Sequence, residues 1–185
     1  MAPVLTSQRL RLRPWTPADA DFVFDMYARW EVQRYLGRSP RVLSDRAAAE
    51  AAIARWNEVR DPVCAIWAVE RIDDGQLLGT VLLNSIPASS QEEPLPPSGD
   101  VEVGWHFHPA AWGCGYATEA ARRVLDHAFE SGLTEVVAVT YPENVASQAV
   151  ALRIGMTERG RTDRYYNTEL VLFSAANPPD QRRSF

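Results

Sequence analysis

"GWHFHPAAWGCGYATEAARRVLDHAF", residues 104–129, decides how this chain is read. An alternating, strand-like run ends at Pro109, and His108, as the residue before a proline, is biased away from helix. Two glycines follow, in Gly113-Cys114-Gly115. From Ala117 the spacing changes to a helical one: Ala117, Ala121, Val124, Leu125 and Ala128 share one side, while Arg122, Arg123, Asp126 and Glu130 take the other. A strand therefore passes through a glycine turn into an amphipathic helix that packs on a sheet.

The first backbone N–H groups of a helix lack internal partners and carry partial positive charge. Glycines at that point remove side chains and let an anion approach closely, and a diphosphate suits the place. The other reading is a tight turn in which glycine only supplies unusual backbone angles. A Walker-type phosphate loop is excluded, because "GCGYATEA" has no lysine. The dinucleotide fingerprint needs a small residue where Thr118 stands, although Glu143 near the end of the next strand imitates its ribose-binding acid.

Upstream, Leu10 and Leu12 alternate with arginines as a half-buried strand. "WTPADADFVFDMYARW" reads as a helix with Thr16 as N-cap, Pro17 at its first position and Asp19 in its first turn. "SDRAAAEAAIARWNEV" reads as a second helix capped by Ser44, and "VCAIWAVER", "DDG" and "QLLGTVLLNSI" as a β-hairpin. Residues 87–99 carry four prolines and read as a loop. Downstream come a β-branched strand, "EVVAVTY", and a short helix, "NVASQAVALRIG", with Asn144 as N-cap and Gly155 as stop. "YYNTELVLFSA" reads as the last strand. The expected architecture is one mixed α/β domain over residues 1–176, with 177–185 as a frayed tail.

Composition sets the bounds. The 185 residues are 46% hydrophobic and 23% charged, an ordinary globular balance for one domain with a real core. A net charge of −5 speaks against nucleic acid as a partner, and no apolar run reaches membrane-spanning length. Two cysteines, Cys64 and Cys114, in unrelated contexts fit a reducing, cytoplasmic setting.

"VEVGWHFHPAAWGCGYATEAARRVL", followed by "YPENVASQAVALRIGM", resembles the GNAT superfamily of acyl-CoA-dependent N-acetyltransferases, and within it the ribosomal-protein N-terminal acetyltransferase-like branch. The coenzyme motif of the superfamily, Gln/Arg-x-x-Gly-x-Gly/Ala, is matched by Trp112-Gly113-Cys114-Gly115-Tyr116-Ala117, with tryptophan at the first position. Asn144 and Ser147 open the second motif, which closes at Gly155 with Met156 in place of phenylalanine. "LRLRPWTPADAD" and "WEVQRYLG" also fit the branch.

The resemblance implies a central, mostly antiparallel sheet with one splayed strand pair, flanked by helices. It implies that backbone amides from Gly113 to Thr118 hold the diphosphate of acetyl-CoA, a co-substrate used without a metal. Phe107 and His108 at the splayed strand end, with Asn144 and Ser147, would line the rest of the coenzyme site. It implies an amine as acceptor, either a protein N-terminus or a small molecule, attacked directly in a ternary complex. Glu102 is then the candidate general base, and Ser147 the proton donor or thiol-orienting group, with Tyr116, Tyr165 and Tyr166 as other donors. An α-amine, with a pKa of roughly 8 against roughly 10.4 for lysine, would need little help from a base.

Two further classes remain: a non-catalytic acyl-CoA-binding module and a dinucleotide-binding enzyme. His106 and His108, two apart, evoke a metal site with Cys114, but a third ligand set at proper spacing is missing. Cys114 at a helix start has a setting that lowers a thiol pKa, without a base partner. Arg29, Arg34, Arg38 and Arg41 around "WEVQRYLG" form either a solvated face or an attractor for an acidic substrate. A homodimer is compatible with the sequence and not specified by it.

Overall fold

The computed structural model describes residues 2–59 and 61–177. Eight strands form one sheet: β1 (Leu5–Thr6), β2 (Leu10–Pro14), β3 (Ala65–Arg71), β4 (Leu77–Pro87), β5 (Pro97–Phe107), β6 (Glu135–Thr140), β7 (Thr157–Thr162) and β8 (Leu170–Ala176). Their spatial order is β1-β2-β3-β4-β5-β6-β8-β7, and every neighbouring pair is antiparallel except β5 with β6. That parallel pair meets at one register position, Glu102 opposite Val137. Beyond it the two strands part, so the expected splay is present.

Five α-helices cover the sheet: α1 (Ala20–Tyr27), α2 (Trp30–Gln33), α3 (Arg46–Trp56), α4 (Tyr116–Glu130) and α5 (Val145–Arg153). One core packs α4 and α5 against the sheet, with Ala120, Ala121, Val124, Leu125 and Ala128 of α4 beside Leu10, Leu12, Trp67 and Val81. On the other face α1 and α3 form a second core around Trp15, Val23, Met26 and Ile53. Alternation along β5 serves both faces, since successive side chains point opposite ways. Val103 and Phe107 are buried in the first core, while Glu102, Gly104 and His106 look to the other side.

Several elements differ locally from the sequence reading. Asp45, not Ser44, caps α3: its backbone is extended and its carboxylate accepts from the Ala48 N–H at 2.8 Å, while Ser44 Oγ donates to that carboxylate. The charged oxygen is the better acceptor beside a positive helix end. Thr16 and Pro17 open a 3₁₀ turn, Pro17–Asp19, before α1 begins. Asp19 closes that turn by accepting from Thr16 N at 2.8 Å and from both terminal nitrogens of Arg13, whose nearby charge and hydrogen bonds outweigh burial and keep the Asp19 carboxyl below its usual range. The helical stretch then breaks at Ala28 and Arg29 into the short α2.

The proline-rich loop is shorter than its composition implies. Pro87 pairs with Pro97 at the far end of the β4–β5 ladder, where a missing N–H is tolerated, and residues 97–99 already belong to β5. Tyr165 and Tyr166 lie in a turn ahead of β8, not in the strand; Tyr166 and Asn167 have φ of 57° and 51°. This turn holds the loop: Ser89 N–H donates to the Arg164 carbonyl at 2.7 Å and Ser90 N–H to Asn167 Oδ1 at 2.8 Å. Strands β1 and β7 are further additions to the elements read from sequence. Of the expected tail, Asn177 is anchored through its N–H to the Thr134 carbonyl, and 178–185 lie outside the described residues.

Candidate active site

The glycine turn is built from its neighbours inward. Gly113 and Gly115 have φ of 75° and 79°, in the left-handed region that favours glycine, and a Cβ on Gly113 would meet only open space. Helix α4 starts at the next residue. Its Glu119 accepts from Ser7 Oγ, Arg9 N and Arg9 Nε, each at 2.7 Å, tying the helix's first turn to the β1–β2 connection. Arg9 also donates to the Cys114 carbonyl at 3.1 Å and lies over the Tyr116 ring. The turn is thus fixed from behind, with its open side toward the splay.

A cleft runs through that splay as two joined arms. The larger, about 530 Å³, is lined by Phe107, Trp112, Gly113, Gly115 and the start of α4, with Val150 and Arg153 of α5 opposite. The smaller, about 210 Å³, is lined by Glu102, Gly104, Tyr141, Tyr166 and Thr168. They share Tyr35, Leu36, Trp105, His106, Asn144 and Ser147, which form the waist. Among the lining residues of the smaller arm Glu102 is the sole Asp, Glu, Lys or Arg. None of Arg29, Arg34, Arg38 and Arg41 lines the smaller arm: Arg29 pairs with Asp25, Arg38 with Glu93, and Arg34 lines the larger arm.

The backbone of β5 also faces the cleft. His108 N–H donates to the Leu78 carbonyl at 2.9 Å, which makes Thr80–His106 and Leu82–Gly104 hydrogen-bonded pairs in the antiparallel register. The N–H and C=O groups of Val103, Trp105 and Phe107 therefore turn toward β6. The Phe107 carbonyl accepts from Trp112 Nε1 at 2.8 Å. Trp105, past the single β5–β6 pairing, offers its N–H to the waist.

Most of the residues singled out in the sequence converge here. Phe107, Trp112, Gly113, Gly115, Tyr116, Ala117 and Thr118 line the larger arm, and Asn144 and Ser147 the waist. Asn144 caps α5 by accepting from Ser147 N–H at 3.3 Å; among the described residues none hydrogen-bonds the Ser147 hydroxyl. Two of the expected coenzyme-site residues fall outside the lining. Cys114 is exposed, and His108 turns its ring away, accepting from Ala110 N–H and meeting Asp25 through Nε2 at 3.0 Å. His106 bonds elsewhere, with Nδ1 at 2.9 Å from the Tyr27 hydroxyl, so the two histidines do not share a ligand position.

Glu102 sits at the inner end of the smaller arm, where burial pushes its carboxyl up to about 7 against the opposing effect of a hydrogen bond from Tyr166 Oη. Tyr166 in turn is raised by burial and by Glu102. Of the other tyrosines, Tyr165 is buried and donates to Asp100 at 2.7 Å, and the Tyr116 hydroxyl meets Arg71 at 3.4 Å. Sequence reasoning missed Tyr35, Tyr141 and Trp105. Nothing in the local pattern marks them: Trp105 is one more residue of β5, and loop packing brings in the two tyrosines, Tyr141 Oη donating to the Gly37 carbonyl at 2.9 Å with its ring against Tyr35.

Known proteins share this architecture. A GNAT-family acetyltransferase from Bacillus anthracis superposes with a TM-score of 0.75 at 20% identity, covering 95% of this chain and 99% of its own. RimL, a ribosomal L7/L12 alpha-N-protein acetyltransferase determined in complex with coenzyme A, gives 0.75 at 14% identity, with 94% and 98% covered. In sequence, the chain is 28% identical over 168 residues to the uncharacterized N-acetyltransferase YoaA of Bacillus subtilis, 89% of each chain being covered. The acetyltransferase (GNAT) domain profile matches residues 9–157, and the chain belongs to that family of acetyltransferases.

Proposed function

We propose that this enzyme transfers the acetyl group of acetyl-CoA to a primary amine, by direct attack while both are bound. The observation that carries the reading is the two-armed cleft, with a side-chain-free helix N-terminus in one arm and a buried, high-pKa carboxylate in the other. The larger arm takes the coenzyme: amides from Gly113 to Thr118 face the diphosphate, and the open edge of β5 pairs with the extended pantetheine. RimL, which shares the fold and was determined with coenzyme A, supports this use. The smaller arm takes the amine.

Glu102, ionised over half its molecules near neutral pH, accepts a proton from the incoming ammonium directly or through water. The neutral amine attacks the thioester carbon at the waist. The Trp105 N–H steadies the oxygen as charge builds on it. As the C=O re-forms the C–S bond breaks, Ser147 orients the departing sulfur, and the surplus proton on the attacking nitrogen passes to that sulfur, leaving a neutral amide and the free thiol. The amine is a protein N-terminus or a small molecule, and the smaller arm, about 210 Å³, suits a terminal residue or a compact amine. Both cysteines are free, in keeping with a cytoplasmic enzyme. No helix among the described residues is long and apolar enough to cross a membrane.

Titration calorimetry with acetyl-CoA, CoA and NAD in parallel tests the cofactor. Binding of the first two without the third, followed by amine-dependent thiol release, is the expected result. NAD binding alone would return the glycine turn to the dinucleotide reading, and coenzyme binding without turnover on any amine would make this a binding module.

A further inference from the structure

His106 stands at the waist on the same face of β5 as Glu102, with Gly104 between them. Four residues of strand separate the Glu102 and His106 Cα atoms by about 13 Å. Gly104 has no side chain of its own, and Leu82 packs over that place, where a Cβ would meet it at 3.2 Å; both residues line the smaller arm. A molecule lying over Leu82 and Gly104 is flanked by a carboxylate at one end and an imidazole at the other.

The ring's protonation pattern follows from the partners behind it. The Tyr27 hydroxyl lies 2.8 Å from Thr80 Oγ1 and 2.9 Å from His106 Nδ1, and the Tyr27 and His106 rings meet edge-on at 88°. Thr80 is 1% exposed, and Tyr27 is the sole side-chain hydrogen-bond partner of its hydroxyl among the described residues. Were Tyr27 to give its proton to Thr80, the Thr80 proton would be buried without an acceptor. Such an unmet group costs about 1–3 kcal/mol. The arrangement that uses every proton runs from Thr80 O–H to Tyr27 Oη and from Tyr27 O–H to His106 Nδ1. With Nδ1 an acceptor, neutral imidazole carries its proton on Nε2. Burial keeps the ring neutral, its pKa pushed down to about 4.

Resting on the acetyl-transfer reading, we propose that His106 is an acceptor-recognition residue whose Nε2–H, aimed into the cleft by Tyr27 and Thr80, donates to an oxygen of the substrate. The enzyme then selects amines with a carbonyl oxygen beside the nitrogen over plain alkylamines. A buried donor left without its acceptor penalises the wrong amine, as in other sites built around a substrate hydrogen bond. The bond moves no proton, so the overall change remains amine plus acetyl-CoA to acetamide plus CoA thiol.

The test compares alaninamide with but-3-yn-2-amine, an α-methyl amine of similarly lowered basicity but without a carbonyl oxygen, by thiol release, in the wild-type chain and in His106→Phe. The wild type should favour alaninamide in kcat/KM by about tenfold or more, the value of one hydrogen bond. His106→Phe should bring that ratio near one while still binding acetyl-CoA by calorimetry. Imidazole ¹⁵N NMR of the wild type, which needs no variant to fold, should show Nε2 protonated and Nδ1 bare from pH 5 to 8. An Nδ1-protonated ring, equal use of the two amines, or no turnover of alaninamide overturns the assignment. Acetyl-CoA binding in the same samples separates that failure from failure of the acetyl-transfer reading itself.

Discussion

At the residue scale, Glu102 carries opposing demands. A carboxyl held at about 7 in the folded chain, above its unfolded value near 4.5, favours folding at acid pH and loses that contribution as pH rises from about 4.5 through 7. Replacing it by glutamine should therefore stabilise the fold above pH 7, by up to roughly 3 kcal/mol, and hardly at all at pH 4.5. Thermal melts at the two pH values check the sign. The same Glu102→Gln change should lower kcat/KM on the order of 10²-fold and erase the limb of the pH–rate profile near 7. A profile that keeps this limb would take the base role from Glu102. Glu102 entered as candidate base through the family resemblance, which places a glutamate on this strand, whereas nothing in the sequence marked its raised pKa. That shift comes from burial in the folded chain, and it stands against the opposing hydrogen bond from Tyr166, 64 residues away, which reaches Glu102 through a turn with two positive φ angles.

At the scale of elements, the glycine turn and α4 were readable because their signals are local: paired glycines, then five small or aliphatic residues at helical spacing. Gly115→Asp should abolish acetyl-CoA binding while leaving the far-ultraviolet spectrum folded, since it places a negative charge and a strained φ at the helix start. Calorimetry with unchanged affinity would remove the diphosphate from this turn. The cap of α3 was misplaced by one residue because Ser44 and Asp45 are both good caps by type, and only the backbone angles decide between them. Asp45→Ala should cost about 1 kcal/mol in urea unfolding and Ser44→Ala distinctly less. The short strands β1 and β7 were illegible for a different reason. Strand β1, "LT", is too short for an alternation to show although Leu5 is buried, and "TERGRT" of β7 lacks an apolar face, so the sheet neighbours supply their pairing.

Across the whole molecule, the element order and the splay were anticipated, but the depth of the cleft was not. Its waist joins segments that begin at Tyr35 and end at Ser147, and no local periodicity reports such closure. The two halves of the sheet share a single β5–β6 register position, so a coenzyme lying between them would brace both. Acetyl-CoA at a hundred times its Kd should add about 2.7 kcal/mol and raise Tm by roughly 5–10 °C, with NAD leaving it unchanged. The chain also holds no lysine; its 19 basic residues are all arginine. Prolonged incubation with acetyl-CoA should therefore leave every basic side chain unmodified in a peptide mass map.

Unpaired strand edges are where proteins stick to one another, because a row of free N–H and C=O groups will accept any extended chain. This fold keeps such a row, yet places it in the interior. The edge of β5 past Glu102 looks across at β6 from the same sheet, shielded above by α4 and α5 and below by the Tyr35–Tyr141 contact. A foreign strand would have to force the sheet apart to reach it. A slender ligand with amides of its own can thread in, so the enzyme retains a sticky surface for its small partner without exposing it as a seed for aggregation.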